Sequence, residues 1–92
     1  MSGQERETCP CCGYRTITGT FDICGICGWE HDPVQESRPY HDNLGPNKVT
    51  LEEAQRNFAA FGAKSREALA DARKPSPDTP RDPDWKPLAE QD

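Results

Sequence analysis

The chain has 92 residues, of which 33% are hydrophobic, and a formal net charge of −5. That length admits one small domain, and so few apolar side chains make a thin core that needs a disulfide framework, a structural metal or a partner to hold it. The acidic balance, with no evident basic patch, disfavours a nucleic-acid backbone as partner.

Residues 1–8, MSGQERET, are polar and read as a flexible N-terminus. They contain no apolar stretch of the kind a secretory leader carries, and no run in the chain approaches a membrane span, so the expected location is the cytoplasm. A reducing compartment favours metal ligation or thiol redox chemistry over structural disulfides.

All five cysteines fall within CPCCGYRTITGTFDICGICGW, residues 9–29. Cys9 with Cys12 and Cys24 with Cys27 have the C-x-x-C spacing that turns two sulfurs toward one point, and each pair is followed by a glycine, Gly13 and Gly28. Two such knuckles supply the four thiolates of a tetrahedral zinc site. Iron in a rubredoxin-like site is the alternative metal, because spacing does not choose between them. The stretch between the pairs, Tyr14 to Ile23, is rich in β-branched and aromatic residues around Gly19. It predicts a β-hairpin with its turn there and a cysteine pair at each open end.

Cys11 is the fifth cysteine, expected as a small side chain at the exposed position of the first turn. Its sharper reading is a reactive thiol, which the negative charge of a four-thiolate site opposes. His31 and His41 read as surface or packing residues, and Trp29 as an apolar cover over the metal and over Phe58 and Phe61. Asp22, Glu30, Asp32, Glu36 and Asp42 have no nucleophile or poised histidine at a recognisable spacing and read as solvated surface.

Residues 32–49 hold Pro33, Pro39 and Pro46 and show no sustained period, which predicts an irregular loop. Residues 50–62 predict an amphipathic helix: Thr50 and Glu53 form a capping box, Leu51, Ala54, Phe58 and Phe61 share a face, and Gly62 ends it. Residues 65–74 predict a second short helix, capped by Ser65 and stopped by Pro75. Residues 75–92 hold five prolines. Composition alone predicts a disordered acidic tail, with Trp85 and Leu88 as the residues that would dock it. The 9–74 segment is then one zinc-stabilised domain, with 9–31 as its knuckles and hairpin.

Three segments, CPCCGY at 9–14, DICGICGWEHDPVQ at 22–35 and VTLEEAQRNFAAFGA at 49–63, together resemble the cysteine-rich CPCC family of small bacterial proteins. RDPDWKPL at 81–88 is similar to that family as well. The resemblance implies a zinc-ribbon-like N-terminal half, a helical C-terminal half and a docked tail, and it assigns no activity.

The expected fold is thus small α+β: zinc-ribbon or rubredoxin-like knuckles with a β-hairpin, then one or two helices and a proline-rich tail. The expected function is a non-catalytic zinc-binding protein-interaction module, an immunity-type or adaptor protein for a basic partner. A nucleic-acid-binding or transcription-associated zinc ribbon and a thiol redox protein using Cys11 are the alternatives. Cys9, Cys12, Cys24 and Cys27 are the expected ligands.

Overall fold

A computed structural model describes residues 6–91. Its elements are strands β1 (Glu7–Thr8) and β2 (Arg15–Ile17), helices α1 (Pro33–Glu36) and α2 (Leu51–Phe61), and 3₁₀ turns at Glu67–Ala70 and Leu88–Glu90. Helices and a small antiparallel sheet share one core, a small α+β arrangement.

The strand pairing differs from the sequence expectation. β2 pairs with β1 across the first knuckle, with Glu7 opposite Ile17 and Thr8 opposite Arg15. Residues 7 and 8 of the expected flexible N-terminus are therefore a strand, while residues 1–5 lie outside the described residues. The second knuckle is flanked in the same way by a single antiparallel bridge, Ile23 to Glu30. The physical reason is that each C-x-x-C-G segment is itself the reversing turn, so the chain pairs across each knuckle instead of between them. Around Gly19 lies a polar turn, in which the Asp22 carboxylate accepts from the N–H and hydroxyl of Thr18 at 2.8 and 2.9 Å.

α2 forms because its ends are capped and one face is apolar. The Thr50 hydroxyl accepts from Glu53 N–H at 3.0 Å. At the other end Gly62, at φ 92°, donates to the Phe58 carbonyl. Leu51 and Ala54 are buried on that face and Phe58 packs beside them. Gln55 is buried too, and its amide ties Pro10 of the first knuckle to Leu88 of the C-terminal segment.

The 32–49 segment has more structure than its composition suggests. The Asp32 carboxylate caps α1 through Val34 and Gln35 N–H, with Pro33 in the first turn. Buried Gln35 donates to the carbonyls of Asp42 and Val49 and accepts from Asn47, so two amide side chains organise the loop from inside. The 65–74 segment has less helix than expected: only Glu67–Ala70 is helical, as a 3₁₀ turn, and the Ser65 hydroxyl accepts from Ala68 N–H at 3.3 Å.

The C-terminal segment is ordered against the fold, contrary to what its composition alone predicts. Arg15 N–H donates to Pro80 O, Asp82 N–H to Gly13 O, and Tyr14 bridges Arg81, which lays residues 80–82 alongside the first knuckle. The radius of gyration, 12.3 Å, is that of a compact chain of this length. Among the described residues no helix is long and apolar enough to cross a membrane.

Candidate metal centre

The two knuckles are built alike. Cys9 N–H donates to Tyr14 O and Gly13 N–H to Cys9 O; Cys24 N–H donates to Trp29 O and Gly28 N–H to Cys24 O. Gly13 and Gly28 sit at φ 83° and 86°, the left-handed conformation that the tight turn requires and that side chains resist. This repetition aims both cysteine pairs at one point between the hairpins.

The sulfurs of Cys9, Cys12, Cys24 and Cys27 all lie within 4.8 Å of one another, and all four residues are buried. Cys9 and Cys27 sulfurs are 3.6 Å apart, Cys12 and Cys24 sulfurs 3.7 Å. A regular tetrahedron with metal–sulfur bonds of about 2.3 Å has edges of about 3.8 Å, so the donor set fits a four-coordinate ion. None of the five cysteines is in a disulfide. The cluster could hold a metal ion, and tetrahedral S₄ geometry suits zinc or iron.

The electrostatics of the cluster favour one negative charge and resist four. Hydrogen bonding with neighbouring thiols raises Cys9, first through Cys12, and raises Cys12, first through Cys24. Cys27 is raised as well, first through Cys11, while Cys24 is lowered because Cys12 and Cys27 hydrogen-bond to its sulfur. The Thr16 hydroxyl at 2.9 Å and the Ile26 N–H at 3.4 Å also donate to the Cys24 sulfur. Four thiolates together at this spacing require a cation among them.

Cys11 is not at an exposed position. It is 1% exposed, and its thiol donates to the Ala54 carbonyl at 3.4 Å. The third residue of the second knuckle, Ile26, is buried at the equivalent place. Both face the core because the knuckle folds over α2 and the residues that follow it. Cys11 thus stands where an apolar side chain belongs.

Downstream chain closes each knuckle from outside. A Cβ on Gly13 would collide with the Trp85 ring, and one on Gly28 would meet Ala68 Cβ at 3.0 Å. Trp85 Nε1 donates to Pro10 O, and the backbones of Lys64 and Arg73 donate to Cys27 O and Ile26 O.

Trp29 is fully buried in the same core cluster as Leu51 and Ala54, with Phe58 packed against it. Its indole N–H donates to Glu36 at 2.8 Å, and the same carboxylate oxygen meets His31 Nδ1 at 2.8 Å and accepts from Asp32 N–H. His41 is exposed. Glu36, Asp32, Asp22 and Asp42 serve as acceptors for nearby donors, a role their reading as solvated surface misses. The donors to the Cys24 sulfur are also beyond sequence reasoning, since a threonine eight residues before a cysteine carries no signal.

The family model described as Cysteine-rich CPCC matches residues 7–79. It takes in both knuckles, α1, α2 and the Glu67–Ala70 turn, and ends before RDPDWKPL at 81–88, so the likeness of that segment lies outside the match. Neither the curated proteins nor the solved structures give a match.

Proposed function

This chain belongs to the Cysteine-rich CPCC family, and on that premise we propose that it is a non-catalytic zinc-binding protein-interaction module of the bacterial cytoplasm. The observation that carries the reading is the buried cluster of four sulfurs at tetrahedral spacing. With Cys9, Cys12, Cys24 and Cys27 as ligands the site is closed, leaving no position for water or substrate. Structural zinc in small finger peptides contributes about 10–16 kcal/mol, enough to offset a core this thin.

The surface supports binding to another protein. Val34, Tyr40 and Leu44 are large apolar side chains exposed on one short segment, Leu44 at 92%. Four thiolates and one divalent zinc take the formal charge from −5 to −7, which suits a basic partner such as the target of an immunity-type protein. A reaction at Cys11 has less support, because its sulfur is buried against α2.

Native mass spectrometry of the protein from its own host, with absorption spectroscopy, tests both halves. One colourless divalent ion per chain and a co-purifying basic protein that Leu44→Glu releases are the expected results. A coloured iron site would overturn the zinc assignment. A partner retained by Leu44→Glu would overturn the apolar segment as its contact.

A further inference from the structure

Beside the second knuckle lies a cavity of about 820 Å³ that the metal centre does not use, lined by Arg6, Arg15 and Arg73. The three arginines come from the lead into β1, from β2 and from the chain after the Glu67–Ala70 turn, and the fold gathers them in a molecule whose net charge is −5. Two carboxylates, Asp22 and Asp78, also line the wall. Asp22 is engaged by its own turn: one oxygen accepts from the N–H and hydroxyl of Thr18, the other from Ile23 N–H at 3.0 Å.

Among the described residues neither Arg6 nor Arg73 forms a salt bridge, and Arg15 reaches Asp82, outside the cavity wall, at 3.6 Å. Arg73 is also positioned. Its Nε donates to Gly25 O at 3.4 Å, and a Cβ on Gly25 would fall 2.6 Å from its Nη2, so the glycine lets the guanidinium lie on the knuckle. The arginines do not serve as donors to the thiol cluster: the Cys24 sulfur accepts from Thr16 and from Ile26 N–H.

We propose that this cavity is a binding site for a phosphate group. Three arginines brought to one cavity wall from separate segments suit a tetrahedral oxyanion, whose several oxygens can each take a charge-assisted hydrogen bond, better than a carboxylate that one fork satisfies. The site is independent of which metal the cysteines hold.

Isothermal titration of the metal-loaded full chain at low salt tests it, using inorganic phosphate and adenosine 5′-monophosphate in one arm and a single-stranded oligonucleotide in the other. Saturable binding in the first arm supports a free phosphate ligand. Binding in the second arm alone, weakening steeply with salt, supports a phosphate carried by a nucleic-acid chain. In either case Arg6→Gln and Arg73→Gln each weaken binding by about tenfold. Arg56→Gln, on the exposed face of α2, leaves it unchanged. Silence in both arms at millimolar ligand overturns the proposal, as does equal weakening by all three variants. Arg6 lies outside the buried core, so its variant stays informative if Arg73→Gln loses metal.

Discussion

Trp85 Nε1 donates to the Pro10 carbonyl at 3.1 Å, joining residues 75 positions apart and laying the indole over Gly13. The contact makes a proline-rich segment part of the wall around the first cysteine pair. Its neighbours act together: Thr8 donates to Asp82 at 2.6 Å, and Leu88 N–H donates to buried Gln55. Trp85→Ala removes a large, half-buried ring together with its hydrogen bond. We expect a loss of about 2–3 kcal/mol, below the range for a fully buried tryptophan. Chemical denaturation with metal present measures it, and faster removal of metal by a chelator should accompany the loss.

Gly13 and Gly28 occupy equivalent places in the two knuckles and differ in what covers them. Both have positive φ, so alanine at either is strained by about 1 kcal/mol. At Gly13 the new methyl group also collides with the Trp85 ring, whereas at Gly28 it meets one methyl at 3.0 Å. Gly13→Ala should therefore destabilise more than Gly28→Ala. Adding Trp85→Ala should reduce the difference, which a double-mutant cycle measures.

What could be read without coordinates was whatever local spacing encodes. C-x-x-C-G appears twice in the sequence, and the cap, apolar face and glycine stop of α2 lie within 13 consecutive positions, Thr50 to Gly62. Strand pairing was not legible, because β-branched residues from Tyr14 to Ile23 fit a hairpin on either side of Gly19 and the partner of β2 is a polar dipeptide. The sequence places Cys11 at an exposed position because the spacing shows only which cysteines share a turn, and its burial depends on its contact with α2. The cleft of Arg6, Arg15 and Arg73 had no signature, since its three charges are scattered through 68 positions of an acidic chain.

The buried position of Cys11 separates two kinds of cysteine loss. Cys9→Ser, Cys12→Ser, Cys24→Ser and Cys27→Ser each remove one of four clustered sulfurs and should abolish stoichiometric metal binding along with the fold. Cys11→Ser puts a hydroxyl into an apolar place but keeps the Ala54 carbonyl within reach, and should cost about 1–2 kcal/mol with metal retained. Cys11→Ala should do similar damage by losing the hydrogen bond and some volume. Metal analysis of the five serine variants distinguishes the classes; loss of metal from Cys11→Ser would place its sulfur among the ligands.

Protons and metal compete for the same four sulfurs, so acid and alkali should act on opposite forms of the protein. In the metal-free fold Cys9, Cys12 and Cys27 sit above the ordinary thiol value of 9.0, while Cys24 sits below it. A raised folded value means the folded state holds protons that the unfolded chain gives up. The contribution of those three thiols is thus intact below pH 9 and lost as pH rises above it, with Cys24 acting in the opposite sense. The metal-loaded protein needs all four as thiolates, so its stability is lost as pH falls. Around neutrality its apparent metal affinity should fall by about four decades per pH unit if metal binding folds the chain, because four thiols then lose protons. A shallower slope would mean that the ion enters a cluster already folded, in which the lowered Cys24 thiol has fewer protons left to release. Competition with a chelator of known proton linkage, repeated across pH 6–8, measures the slope. Four is the expected value, because four of the ten residues in the buried core cluster are these cysteines, and the remainder has little to hold it before the metal arrives.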